Sequence, residues 1–169
     1  QYTYPSSDGQ FILDLGAGIY NYEGKTLWTY LRVVNDTLLT GYRITNGWAR
    51  QNYTYFAIAL SEPIQNYGYV DAQRMKYNGF WRKMDIHHNF PDMAGRQIVG
   101  YFRFQLPSSR QLTIRTALSP VSMSGALANL KAETDGMTFE QIQKQTVAQW
   151  EQELDRIEKL VQNLLKITK

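Results

Sequence analysis

The sequence predicts a mainly β fold: an antiparallel β-sandwich over residues 1–120, followed by two C-terminal α-helices within residues 121–169. Three observations predict it. Short apolar or alternating runs, separated by Gly, Pro, Asn, Asp and Ser, fill the first two thirds. Twelve Tyr, seven Phe and four Trp make up 14% of the chain, and aromatic side chains suit pleated surfaces. After Pro120 the apolar residues change to steps of three and four, the helical period.

The strands follow in order. Phe11 to Leu15 is an apolar run after the turn signal Ser6-Ser7-Asp8-Gly9. Trp28 to Val34 alternates imperfectly, Asn35-Asp36 supplies a turn, and Leu38 to Thr45 reads as the return strand of a hairpin. From Asn52 to Leu60, Tyr53, Tyr55, Ala57 and Ala59 share one parity and Phe56, Ile58 and Leu60 the other. Apolar groups on both faces predict a strand covered on both sides. Pro63 to Gly95 is irregular and reads as short edge strands and long loops. Ile98 to Leu106 is a further strand, and Gln111 to Leu118 reads as its partner across the turn Pro107-Ser108-Ser109. Repeated short strands at this spacing predict a sandwich.

Ser122 to Glu133, with Ala126, Leu127, Ala128, Leu130 and Ala132, reads as a short helix that Gly136 ends. Thr138, with Gln141 three residues on, reads as a capping box opening a second helix to about Ile167. Val147, Trp150, Leu154, Ile157, Val161 and Leu164 form one apolar stripe at heptad-like spacing. At 1.5 Å per residue the helix spans roughly 40 Å. Such a stripe requires a partner surface: the sandwich, a domain outside this chain, or a second copy in a coiled coil.

Composition narrows the function classes. A net charge of +3, with Lys and Arg scattered, gives no basic patch for nucleic acid. No apolar run is long enough to cross a bilayer. The first residues are not a charged-then-apolar leader, so any signal peptide is expected to lie outside them. Without cysteine there is neither a disulfide framework nor a thiolate metal site. The aromatic content suits sugar-stacking surfaces as well as strands.

No motif names a reaction: there is no phosphate loop, nucleophile elbow or HExxH. The two histidines, His87 and His88, lie between Asp85 and Asp92. Metal binding and a solvated loop are both readings of that segment, but neighbours in an extended chain point opposite ways. Glu140, Glu151, Glu153, Asp155 and Glu158 read as the charged outer face of the long helix, with Asp155 and Lys159 an i,i+4 pair. They do not read as a glycosidase's pair of carboxylates facing across a cleft. No catalytic residue and no metal ligand is assigned.

Four groups of residues, in order along the chain, carry a resemblance. They are Tyr2-Thr3-Tyr4-Pro5 through Leu13-Asp14-Leu15; Leu38 to Ala49 followed by the aromatic strand and Ser61-Glu62-Pro63; Leu118-Ser119-Pro120-Val121-Ser122 with Ala126, Asn129-Leu130 and Ala132-Glu133; and Phe139 leading to Trp150 and Glu153-Leu154. Together they resemble glycoside hydrolase family 92, over residues 1 to about 157. The resemblance implies a secreted, periplasmic or cell-surface bacterial protein whose parent is a calcium-dependent, inverting exo-α-mannosidase. In such enzymes an N-terminal β-sandwich is joined by helices to an (α/α)6 catalytic domain. The pocket for a mannose-containing glycan lies between them, and the acid, base and calcium ligands come mainly from the catalytic domain. By this resemblance the chain is a non-catalytic accessory domain that shapes one wall of the pocket and docks the absent (α/α)6 domain. Its own cofactor set is empty, and calcium belongs to the parent.

Three residues are candidates for sugar contact. Trp48, in Gly47-Trp48-Ala49 after a strand, suits stacking on a sugar face or burial at a core or domain interface. Arg43 suits hydrogen bonds to sugar hydroxyls or a rim salt bridge. Trp81, in Gly79-Phe80-Trp81-Arg82-Lys83, suits stacking or a lid over the core. Two rival readings stand: a stand-alone carbohydrate-binding module, and a structural or interaction module using the long helix.

Overall fold

A computed structural model describes residues 1–20, 22–71 and 91–167. Its elements are β1 (Tyr2–Thr3), β2 (Asp8–Asp14), β3 (Thr26–Asn35), β4 (Leu38–Thr45), β5 (Asn52–Leu60), β6 (Ile64–Asp71), β7 (Asp92–Gly95), β8 (Ile98–Gln105), β9 (Gln111–Leu112), β10 (Ile114–Ser119), α1 (Met123–Thr134) and α2 (Phe139–Ile167). Two compact units result, Gln1–Glu133 and Thr134–Lys169. Among the described residues no helix is long and apolar enough to cross a membrane.

In the first unit, β10-β5-β4-β3-β7 form a five-stranded sheet, β2-β8-β6 a three-stranded sheet and β1-β9 a two-stranded ribbon. All pairs are antiparallel. The β3–β4 hairpin predicted from Asn35-Asp36 is present. The Asn35 Oδ1 atom accepts the Thr37 N–H at 2.9 Å, an Asx turn that closes it.

The inward parities of the two larger sheets meet in one core. Leu31, Leu39, Phe56, Ile58 and Leu60 come from one sheet, and Ile98, Phe102 and Phe104 from the other, with Leu106 and Leu112 beside them. Phe102 lies at the centre, fully buried, between Phe11 at 5.9 Å and Tyr67 at 6.2 Å between ring centroids. The buried Thr29 hydroxyl donates to the Gly95 carbonyl at 2.9 Å and accepts the Ile98 N–H at 3.0 Å. Burial there costs little because both hydroxyl roles are filled.

β5 is covered on both sides over its second half, as its dual parity predicts. Phe56, Ile58 and Leu60 face the core, while Ala57, with Ala117 of β10, packs under Ala126 and Leu130 of α1. The small alanines let the helix approach. Ser122 caps α1, its hydroxyl accepting the Gly125 N–H at 2.9 Å.

Two expectations are corrected. Gln111–Leu118 is not the partner of Ile98–Leu106. β8 pairs with β2 and β6, while β9 pairs with β1 and β10 with β5. Alternation fixes which face a side chain takes, not which strand lies alongside. At the turn the Arg110 N–H reaches the Pro107 carbonyl at 2.8 Å, and Arg110 adopts a φ of 53°, directing the chain to the other sheet. Within the irregular segment, Ile64–Asp71 is a full eight-residue edge strand, its half-buried Tyr67 and Tyr69 packing on the core.

In the second unit the capping box is formed. The Thr138 hydroxyl accepts the Gln141 N–H at 3.2 Å, and the Gln141 side chain accepts the Thr138 N–H at 2.8 Å. Along α2, Val147, Trp150, Leu154, Ile157 and Val161 are exposed.

Candidate functional site

The outer face of the five-stranded sheet carries a tyrosine ladder. Register places Tyr30 beside Tyr42 and Tyr42 beside Tyr55 on three adjacent strands. Ring centroids lie 5.3 Å apart for Tyr30–Tyr42, 5.8 Å for Tyr42–Tyr55 and 6.1 Å for Tyr53–Tyr55. Cross-strand aromatic pairs stabilise a sheet and also make a flat surface. At the β7 edge the Tyr30 hydroxyl donates to Asp92 at 2.5 Å, and Arg32 meets the same carboxylate at 2.6 Å. Arg32 and Tyr30, in that order, hold the Asp92 carboxyl below the usual carboxylate range. Burial, then the bond to Asp92, pushes the Tyr30 hydroxyl up, so it remains a donor.

Beyond Trp28 and Tyr53 the sheet ends in two loops, carrying residues 15–20 and 22–25 and residues 46–51, that bond to each other. The Tyr22 hydroxyl donates to the Asn46 carbonyl at 2.9 Å, and the Asn46 N–H to the Lys25 carbonyl at 2.7 Å. The Lys25 ammonium donates to the Ile19 carbonyl and, at 2.8 Å, to the Tyr20 carbonyl. Asp14 Oδ1 accepts the N–H groups of Gly16 at 2.8 Å and Ala17 at 3.1 Å. Ile19, Tyr20, Tyr22 and Trp48 are exposed on this tied backbone, Trp48 completely. Tyr20 sits at a φ of 57°, a left-handed conformation that costs a non-glycine residue about 1–3 kcal/mol.

Arg43 lies beneath this end and turns inward. Its Nη1 donates to the Ala17 carbonyl; its Nη2 donates to Thr26 Oγ1 at 3.2 Å and lies 3.5 Å from the Gly16 carbonyl. Its buried Nε has no hydrogen-bond partner. Burial lowers the guanidinium's pKa and the Asp14 charge opposes that shift. Arg43 therefore supports the loop from below.

Of the predicted sugar-contact residues, Trp48 stands at the exposed loop end, Arg43 supports that end, and Trp81 lies outside the described residues, as do His87 and His88. Tyr20, Tyr22 and the ladder were not singled out in the sequence. The Tyr53/Tyr55 parity was the available signal for the ladder; nothing local marks Tyr20 and Tyr22, which the pairing of β3 with β4 brings to the same end of the sheet as Trp48. Among the described residues no three His, Cys, Asp or Glu gather where a metal ion could sit. The described residues thus offer no site for the calcium that the resemblance implies for the parent.

The family description "Glycosyl hydrolase family 92 N-terminal domain" matches residues 1–119. No curated protein matches the chain. A family GH92 alpha-mannosidase from Bacteroides thetaiotaomicron, solved in complex with mannoimidazole, is similar at 27% identity and a TM-score of 0.73, over 90% of this chain and 19% of that one. The same enzyme in a second structure gives 27% identity and a TM-score of 0.74, over 90% and 20%. A family GH92 inverting mannosidase from Bacteroides thetaiotaomicron VPI-5482 shares the fold at 24% identity and a TM-score of 0.68, over 88% of this chain and 18% of that one. The chain thus spans about a fifth of the length of these solved enzymes.

Proposed function

We infer the role of this chain from one premise: it belongs to the glycosyl hydrolase family 92 N-terminal domain family, matched over residues 1–119. As the N-terminal domain of a mannosidase-type glycosidase, it is non-catalytic and serves the enzyme by geometry. Its aromatic loop end, with Trp48, Tyr20 and Tyr22 exposed on a backbone supported by Arg43, forms one wall of a pocket for a mannose-containing glycan. The same end docks the (α/α)6 catalytic domain, which supplies the acid, the base and the calcium ligands. The setting is secreted or periplasmic.

The observation that carries this reading is the full exposure of Trp48 on a loop that the chain goes to some length to hold. An aromatic face with a polar tip suits the C–H face of a pyranose, and a stacked aromatic contact contributes about 0.5–1.5 kcal/mol. In a full-length enzyme carrying this domain, Trp48→Ala should lower kcat/KM on an α-mannoside by roughly three- to tenfold, with the circular dichroism of the domain unchanged. An unaltered kcat/KM in the Trp48→Ala/Tyr20→Ala double variant sinks the pocket-wall reading.

The exposed stripe of α2 favours a second reading, an interaction module whose helix pairs with a second copy. Sedimentation of the chain would then show a concentration-dependent dimer that Leu154→Asp abolishes. A monomer at all concentrations rejects it and leaves the stripe to the catalytic domain.

A further inference from the structure

The outer face of the three-stranded sheet has a different character from the loop end. β2 sends Asp8 and Gln10 outward and Gly9 and Phe11 inward, while β8 leaves Arg103 and Gln105 exposed and buries Phe102 and Phe104. Register sets Asp8 against Gln105, and Gln10 and Asn66 on either side of Arg103. Between Ile64 and Asn66 the register shifts, so Gln65 is an extra residue in β6. A bulge bends its strand and re-aims side chains. An open hollow of about 590 Å³ lies here, lined by Asp8, Gly9, Gln10, Gln65, Asn66, Arg103, Phe104 and Gln105. Its size falls within the range of about 300–1,000 Å³ seen for ligand sites.

We propose that this hollow is a second carbohydrate site, taking a neutral oligosaccharide at a place remote in sequence from the Trp48 loop. Beside Gly9 and Phe104, its lining residues carry four carboxamides, one guanidinium and one carboxylate. Each amide offers two donors and an acceptor, the guanidinium offers donors only and the carboxylate acceptors only. Such a set matches hydroxyls that donate and accept at once. The charges of Asp8 and Arg103 balance, which favours a neutral ligand over a phosphate or a nucleic acid. Among the described residues none of these six side chains is taken up by an internal hydrogen bond or ion pair.

The neighbouring outward position on β8 supplies an apolar counterpart. Tyr101 stands opposite Gly68, and a Cβ on Gly68 would strike the Tyr101 ring, 2.5 Å from its Cζ. The ring therefore lies over the β6 backbone in space that only glycine leaves free. Ile12, opposite Tyr101 on β2, and Val70 on β6 are 58% and 59% exposed on the same face. This face sets a flat ring and two aliphatic side chains beside a hollow whose lining offers both apolar surface and hydrogen-bonding groups. A pyranose has the same two characters, C–H face and hydroxyl rim.

The proposal does not rest on the pocket-wall reading, and the variants separate the two. The ¹⁵N-labelled full chain would be titrated with an α-linked mannotriose to tens of millimolar, following the side-chain amide signals of Gln10, Gln65, Asn66 and Gln105. Saturable shifts are expected at these four. Affinity should fall at least fivefold in Arg103→Ala and in Tyr101→Ala, and be unchanged in Trp48→Ala. Asn66→Ala, exposed and free of internal bonds, serves if Tyr101→Ala does not fold. Shifts confined to residues 19–22 and 46–49, shifts that persist equally in Arg103→Ala and Asn66→Ala, or no shift at all would overturn it.

Discussion

The ring of Phe56 occupies the space that a side chain on Gly41 would need: a Cβ there would stand 2.5 Å from the Phe56 Cζ and would also strike the Tyr30 carbonyl. Gly41 sits in mid-strand, where glycine is ordinarily a weak choice. Here it lets β4 pass under a core aromatic. Gly41→Ala should destabilise the domain by about 1–3 kcal/mol through overpacking. Urea denaturation measures this; a loss below 0.5 kcal/mol, the scatter of roughly ±0.5 expected for unconstrained sites, would mean that both the Phe56 ring and the β3 backbone at Tyr30 give way freely.

Phe102 joins the two sheets at full burial. Phe102→Ala should cost about 3–5 kcal/mol, while Ile12→Ala on the exposed face of β2 should lie within about 0.5 kcal/mol of the parent. Equal losses in equilibrium unfolding would contradict the assignment of β2 and β8 faces.

Much of this fold was legible because burial leaves a period. The β3–β4 hairpin could be read from Asn35-Asp36, the double cover of β5 from its parities, and the capping box from Thr138 and Gln141. Neighbour choice was not legible. The β8 residues announce that Phe102 and Phe104 point inward, yet nothing local says that β2 and β6, and not β10, flank them. The candidate site was legible only at Trp48. Arg43 reads in sequence as a surface cation; only the approach of residues 16 and 17, brought by the β2 terminus, turns it into an internal support.

That support gives a prediction opposite to a ligand role. Arg43→Met should remove the bonds to Ala17 and Thr26 and destabilise the domain by about 1–3 kcal/mol, the scale of hydrogen bonds to a charged group. Thermal melts should show the loss without any sugar present. An unshifted melting temperature, with sugar affinity reduced, would return Arg43 to the binding surface.

Asp92 makes stability depend on pH. Its folded-state carboxyl titrates below the ordinary value of about 3.9 because Arg32 and Tyr30 bond it. Its contribution is therefore fully present above that ordinary value and is lost as pH falls through the lower, folded one. Asp92→Asn should lower the melting temperature slightly at about pH 7, and the difference from the parent should close as pH falls through the lowered, folded-state value. The effect is small because both side chains are well exposed, at 49% and 38%. A gap that widens in acid contradicts the assignment.

Hydrolysis of an aryl α-mannoside by the purified chain, with calcium present and with calcium chelated, bears most directly on the proposal that it is non-catalytic. On that proposal, no turnover above the buffer rate is expected in either condition. Calcium-dependent turnover by these 169 residues would place the acid, the base and the ion within this chain, contrary to the division of labour proposed for it.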